Sequence, residues 1–325
     1  MSFQLPTLVQ MDEAARLIYA HMPPTPQYRW PLLDDLAGTE VWVKHENHTP
    51  VGAFKIRGGI VYLDELRRRE PAFIGVVSAT RGNHGQSMGF AARLAGVKAV
   101  VVVPHGNSRE KNAAMRGLGV EVIEAGEDFQ AACVVADRLA VERGLHRLPS
   151  FHELLVRGVG TYAMEFFRGT PELDTVYVPV GMGTGVCGMI AARDALGLKT
   201  NVVGVVSSGA PAYKLSFQSG RVVEHAVTTV LADGMACRCP DPDALQAMLA
   251  GCERVVAVTD DEVAAAMRAL FSCTHNVAEG AGAASFAGLM QEREAMHGKR
   301  VGVVLCGGNV DADVFAQVLA AGGTA

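Results

Sequence analysis

The chain has 325 residues, 49% apolar and 19% charged, with a net charge of −5. That length can bury two sizeable cores, and the composition is globular rather than disordered. No basic run offers a nucleic-acid footprint, no apolar run is long enough for a bilayer, and the N-terminal Met-Ser-Phe-Gln-Leu-Pro has no secretory pattern. A cytoplasmic protein with neither nucleic-acid nor membrane partner is expected. The 7 cysteines are scattered, and Cys237-Arg-Cys239 lacks the second pair of a zinc site, so reduced thiols are expected.

In chain order, a helix is predicted around Asp12 to Ala20 and a strand over Val41 to His45. A polar turn, Glu46 to Pro50, leads into Gly52-Ala-Phe-Lys-Ile-Arg-Gly-Gly59. Phe73 to Val77 reads as a strand and Ser87 to Leu94 as a helix, with the loop Thr80-Arg-Gly-Asn-His84 between them. Ala99 to Val103 is a strand whose unbroken valines predict burial on both faces. A helix (Arg109 to Leu118), a strand (Val120 to Glu124) and a helix (Asp128 to Arg143) follow. A second run begins at the strand Thr175 to Val180, which feeds a glycine-rich loop and a helix from Gly188 to Leu196. It continues through a strand at Asn201 to Val206 and a helix at Asp260 to Phe271, and Val301 to Leu305 closes the sheet. This alternation predicts an α/β fold with parallel sheets.

Three stretches carry chemistry. Lys55 follows a strand and a turn, with Phe54 before it and small glycines around it. An amine in that setting can form an imine with a flat aromatic cofactor; a structural lysine at a helix start is the plain alternative. Gly181-Met-Gly-Thr-Gly185, between strand and helix, can wrap backbone N–H groups around an anion. It fails the dinucleotide spacing at Val186, so a single phosphate fits better, with a ligand-free tight turn as competitor. Thr80-Arg-Gly-Asn-His84 exposes N–H groups in the same way.

Together, His45 to Gly59, Thr80 to Gln86, Val178 to Gly185 and Leu305-Cys-Gly-Gly-Asn309 resemble, in order, the motifs of the fold-type II pyridoxal-phosphate (PLP) enzymes. The resemblance runs from about residue 20 to residue 312, and within the family it points to the threonine and serine dehydratases. It implies two open, twisted, mostly parallel sheets flanked by helices, the tryptophan synthase β-like architecture. A small domain at 46–146 and a large one at 1–45 plus 147–325 would hold the cofactor between them, with no C-terminal regulatory domain and a homodimeric assembly.

The resemblance also assigns residues. Lys55 is the catalytic lysine, with Phe54, Asn83, Gly181, Met182, Gly183, Thr184, Gly185, Gly234, Glu279 and Cys306 around the cofactor. Thr80, Arg81, Gly82, Asn83 and His84 grip the substrate, and His84 itself has no chemical duty beyond packing. Cys306 stands where dehydratases carry serine or threonine beneath the pyridine nitrogen. Asp233 of Leu231-Ala-Asp-Gly234 lacks the glutamate that completes a metal site in relatives, so no metal is expected. Arg81 departs from the serine that serves racemases as second-face acid and base, and a permanently charged guanidinium cannot replace it. The implied reaction is α,β-elimination on an L-β-hydroxy-α-amino acid (threonine, serine, or a relative such as β-hydroxyaspartate or an aryl-serine), giving a 2-oxo acid and ammonia. The rival is β-replacement, as in cysteine synthase, which the Gly-Met-Gly-Thr-Gly loop resembles more.

Overall fold

The computed structural model describes residues 3–321. Its strands are β1 (Gln27–Arg29), β2 (Glu40–His45), β3 (Gly75–Ala79), β4 (Lys98–Val103), β5 (Glu121–Glu124), β6 (His146–Arg147), β7 (Thr175–Pro179), β8 (Asn201–Ser207), β9 (Arg254–Val258) and β10 (Arg300–Leu305). One sheet runs β1-β2-β10-β7-β8-β9 and the other β5-β4-β3-β6. Among these strands only β1 pairs antiparallel, against β2. Parallel neighbours need crossovers, and the helices that make them cover both faces, so the central strands are valine-rich and buried. The expected α/β architecture of two mostly parallel, helix-flanked sheets is what forms.

Several elements differ in place from the sequence reading. The strand expected at Phe73 to Val77 is paired two residues later: Ile74 is 59% exposed, and the ladder begins where Gly75 meets Lys98. A Cβ on Gly75 would lie 2.7 Å from the Lys98 carbonyl oxygen, so glycine permits the close start. The last strand does not close its sheet; β10 lies inside it, between β2 and β7. The two helices after the loops start earlier than periodicity suggests, at Asn83 and at Thr184. Both first turns therefore fall inside the motifs themselves. The N-terminal helix spans Leu8–Tyr19 behind a Thr7–Gln10 capping box. It packs against helix Glu153–Gly169, and it also sets Ala14 and Ile18 against Ile56 and Ile60 of helix Ile56–Arg69.

Helix Glu153–Gly169 gives no signal in the sequence reading, yet it braces the molecule. It packs on helix Ile56–Arg69 and on helix Thr184–Ala195, where Gly160 and Gly188 approach so closely that a Cβ on Gly188 would lie 3.0 Å from the Gly160 nitrogen. Below Lys55 it also contributes Glu165 to a buried ionic cluster. Arg57, fully buried, donates from Nε to Glu46 Oε2 (2.7 Å) and from Nη1 to Glu165 Oε1 (2.6 Å). Lys44 Nζ reaches Glu165 Oε2 at 2.6 Å, and the Thr25 hydroxyl donates to Glu46 Oε1 at 2.5 Å.

Candidate active site

The parallel strands β2, β3, β7 and β10 end at His45, Ala79, Pro179 and Leu305, and a motif follows each end. In open α/β sheets the carboxyl ends of strands are where loops can build a crevice. Here both sheets contribute to one cavity of about 890 Å³, counting its open mouth, and every residue assigned above lines it.

The lysine loop is stitched to the end of β10. Phe54 N–H donates to the Cys306 carbonyl (3.0 Å), Gly308 N–H to the Gly52 carbonyl (2.9 Å), and Asn309 Nδ2 to the Val51 carbonyl (2.8 Å). Gly52 has φ 68°, and a Cβ there would lie 2.5 Å from Asn309 Oδ1, so only glycine fits the turn. Lys55 emerges at the head of helix Ile56–Arg69, with Nζ 4.9 Å from the Phe54 ring centroid. Its backbone carbonyl accepts from the Ser87 hydroxyl at 2.5 Å. Burial lowers the Lys55 pKa and the nearby Lys111 adds to this, while Cys306 and Glu279 oppose it in part.

Across the cavity, Thr80 Oγ1 accepts from Gly82 N–H at 3.0 Å, and helix Asn83–Ala95 begins with no side-chain cap. Its first N–H groups and positive dipole end therefore face the crevice, a setting for a carboxylate. Asn83 is held from two sides: its Oδ1 accepts from Asn309 Nδ2 (2.9 Å), and its Nδ2 donates to Glu279 Oε1 (2.6 Å). One Nδ2 hydrogen remains for a ligand oxygen. Burial pushes His84 down to about 3, so the ring is neutral; its Nε2 has no partner among the described residues.

The sequence reading misses Lys111. Its ammonium, buried, lies 2.8 Å from Asp233 Oδ2 and 3.2 Å from Glu279 Oε2, while its stem supports Gly82, whose added Cβ would lie 2.5 Å from Lys111 Cδ. Burial alone would lower its pKa, but Glu279 and Asp233 outweigh that and hold it above the usual lysine range. On its helix Lys111 is buried together with Asn112 and Met115. Asp233 opens a short 3₁₀ turn, and among the described residues no group of three or more His, Cys, Asp or Glu could hold a metal.

The phosphate-type loop is equally fixed. Gly183 has φ 99°, and a Cβ on Gly181 would lie 2.5 Å from the Gly234 carbonyl oxygen. Tyr213 donates to the Met182 carbonyl (3.0 Å) and Tyr162 to the Gly185 carbonyl (3.2 Å). Helix Thr184–Ala195 starts uncapped at the cavity, which suits a phosphate. At the end of β10 the buried Cys306 thiol has its pKa pushed up, chiefly by burial and further by Glu279, so it is neutral. One cavity thus holds an amine without a hydrogen-bond partner among the described residues, an uncapped glycine-wrapped helix start and a neutral thiol, a set of groups that suits a pyridoxal phosphate.

Known proteins agree with this geometry. The family model described as pyridoxal-phosphate dependent enzyme matches residues 18–307. L-threonine ammonia-lyase of Geobacter sulfurreducens is 34% identical over 88% of this chain and 71% of its own. L-threo-3-hydroxyaspartate ammonia-lyase of Saccharomyces cerevisiae is 29% identical over 97% of each chain. The crystal structure of a pyridoxal 5'-phosphate-dependent aspartate racemase superposes with a TM-score of 0.91 at 29% identity, over 98% of this chain and 100% of the other.

Proposed function

Since the chain belongs to the pyridoxal-phosphate dependent enzyme family, we propose that it is an ammonia-lyase acting by α,β-elimination on an L-β-hydroxy-α-amino acid. The product is a 2-oxo acid with ammonia. The observation that carries this reading is the Lys55 amine, unpaired and depressed in pKa, set between two uncapped helix starts in one cavity. The relatives named for threonine and hydroxyaspartate ammonia-lyase activity support it.

Held by Lys55 and the Gly181–Gly185 loop, a bound pyridoxal phosphate would supply an electron sink for the density released at Cα. The chain's residues do the rest. The Thr80–His84 loop binds the α-carboxylate through backbone N–H groups and so fixes the Cα–H bond relative to Lys55. Lys55 Nζ, whose pKa burial lowers, takes the Cα proton. The Cβ–O bond then breaks and the hydroxyl leaves as water, the proton it gains balancing the one that Lys55 took from Cα. The unsaturated amine released takes up water to give oxo acid and ammonia, so atoms balance. The Gly181–Gly185 loop would anchor the cofactor phosphate, and the neutral Cys306 thiol would leave the ring nitrogen without a charged partner, which would favour elimination.

The test is absorbance of the purified protein with 2-oxo acid release from L-threonine, L-serine and β-hydroxyaspartate. A cofactor band lost in Lys55→Ala together with oxo acid from one substrate supports the reading; a protein that cannot be loaded with pyridoxal phosphate sinks it. The Gly181-Met-Gly-Thr-Gly185 loop favours one second reading, β-replacement, which would appear as a product that retains nitrogen and gains an added thiol. Racemisation is disfavoured, because Arg81 cannot deliver a proton at neutral pH. We also read the assembly as a homodimer, the compartment as cytoplasmic, and residues 46–146 as a domain distinct from 1–45 plus 147–325. Light scattering, fractionation and limited proteolysis test these in turn.

A further inference from the structure

The charged groups of the cavity are not all paired with one another. Lys55, Arg81 and Lys111 line it against Asp233 and Glu279. Both carboxylates already have an ion pair with Lys111, at 2.8 and 3.2 Å, and Glu279 Oε1 accepts from Asn83 at 2.6 Å, while Glu279 Oε2 has no hydrogen bond among the described residues. Arg81 is left over. Its Nε–H is buried with no acceptor among the described residues. Several other buried or half-buried arginines are tied to the protein: Arg57 to Glu46 and Glu165, Arg147 to Asp137, Arg193 to the Gly251 carbonyl, Arg254 to Glu292 and Arg268 to the Val318 carbonyl. A buried N–H donor without an acceptor carries a desolvation cost, and a charge-assisted bond to a bound anion offsets it most strongly. The α-carboxylate of an amino acid does not need Arg81, because the uncapped start of helix Asn83–Ala95 supplies N–H donors for it.

We propose that Arg81 is a specificity residue that binds a second anionic group, on the substrate's side chain, so that the preferred substrate is an acidic β-substituted amino acid rather than threonine or serine. The proposal rests on the ammonia-lyase reading for its chemistry but not for its binding step. For β-hydroxyaspartate the elimination proceeds as above: Lys55 takes the Cα proton, the β-hydroxyl leaves as water, and hydrolysis gives the four-carbon oxo diacid and ammonia. The side-chain carboxylate stays intact throughout, held by the guanidinium.

Two measurements on the cofactor-loaded protein test this. The first is the ratio of kcat/KM for L-threo-β-hydroxyaspartate to that for L-threonine, in wild type, Arg81→Gln and Arg81→Lys, with O-phospho-L-serine as a phosphate-bearing arm. A charge-assisted hydrogen bond lost corresponds to roughly a 10- to 100-fold change. The ratio should therefore exceed one in wild type, fall by that amount in Arg81→Gln and recover in part in Arg81→Lys. If the phosphate arm shows the larger fall, the anion is a phosphate rather than a carboxylate. The second is calorimetric binding of succinate against butyrate, neither of which can react. Succinate should bind wild type at least roughly 10-fold tighter than butyrate, and this advantage should vanish in Arg81→Gln. If it does while no amino acid is turned over, the lyase reading fails and the anion site stands. A ratio unchanged by Arg81→Gln, or an equal loss for both substrates with weaker cofactor retention, overturns the proposal and places the guanidinium on solvent or on the cofactor phosphate.

Discussion

Two buried ionic clusters lie a few residues apart in sequence, at Arg57 and around Lys55, and they treat the same kinds of side chain in opposite ways. Under the Lys55 helix, Arg57 and Lys44 face Glu46 and Glu165 one for one, and Thr25 and Thr161 take up remaining positions. Burial alone would raise the Glu165 pKa, yet Arg57 and Lys44 outweigh it and hold the carboxyl below the usual range. In the cavity Glu279 is as deeply buried but has Lys111 alone against it and Asp233 beside it, and its pKa is raised, first by burial. Polar atoms are also left without hydrogen-bond partners there among the described residues, at Arg81 Nε, His84 Nε2 and Glu279 Oε2. A cluster that closes on itself holds elements together. One left open keeps polar groups for a ligand, and the closed cluster beneath supplies the rigidity that such an open site requires.

The sharpest way to separate the two is Lys55→Ala against Arg57→Met. Lys55→Ala removes the base, so turnover should fall on the order of 10⁴-fold or more while the thermal midpoint stays near wild type. Arg57→Met should do the reverse in kind. It strands Glu46 and Glu165 in the core, and breaking a buried pair costs about 3–5 kcal/mol. Urea titration should show the midpoint falling with an unchanged slope. A loss under about 1 kcal/mol would mean that the Arg57 cluster is not closed, and the comparison would break.

Lys111→Met sharpens it at a lower level. The lysine neutralises Glu279, which positions Asn83, and its stem supports Gly82. Its loss should reduce kcat/KM roughly 10- to 100-fold, the scale of one charge-assisted hydrogen bond. Stability should change little, because Glu279 can protonate and Asp233 keeps partial contact with solvent. A fall in stability as large as that of Arg57→Met would assign Lys111 to structure.

The strand ends and their loops are legible in the sequence because each motif is local: a β-branched run, then glycines, then a helix. The residues of four motifs meet in one cavity because parallel strands bring their carboxyl ends together. What stays hidden is non-local. Lys111 meets Asp233 across 122 residues and Arg57 meets Glu165 across 108, and nothing at either position announces the pairing. The start of β3 is misplaced by the sequence because apolar Phe73 and Ile74 look like strand, whereas register is set by the backbone contact at Gly75. The helix starts read late because Asn83 and Thr184 belong to loops by composition and to helices by geometry. That discrepancy is informative, since it is the first turn of each helix that faces the ligand.

The smallest effect, and the most direct reading of the comparison, is pH dependence. Glu165 has a folded pKa below its unfolded value, so its contribution is complete above about 4.5 and is lost as pH falls through the folded value. Glu279 has a folded pKa above its unfolded value, so its contribution is complete below about 4.5 and is lost as pH rises through the folded value. Unfolding free energies of wild type, Glu165→Gln and Glu279→Gln between about pH 4 and 7 isolate each group. Toward the acid end the wild-type advantage over Glu165→Gln should shrink, while the wild type should gain on Glu279→Gln. A tenfold difference in proton affinity between the folded and unfolded chains is worth about 1.4 kcal/mol, which sets the scale of both trends. Neutral His84 should add no step between about pH 5 and 8. Two curves bending the same way would mean that the cavity carboxylate is as fully paired as the core one, and that the site owes its open donors to something other than an incomplete ionic cluster.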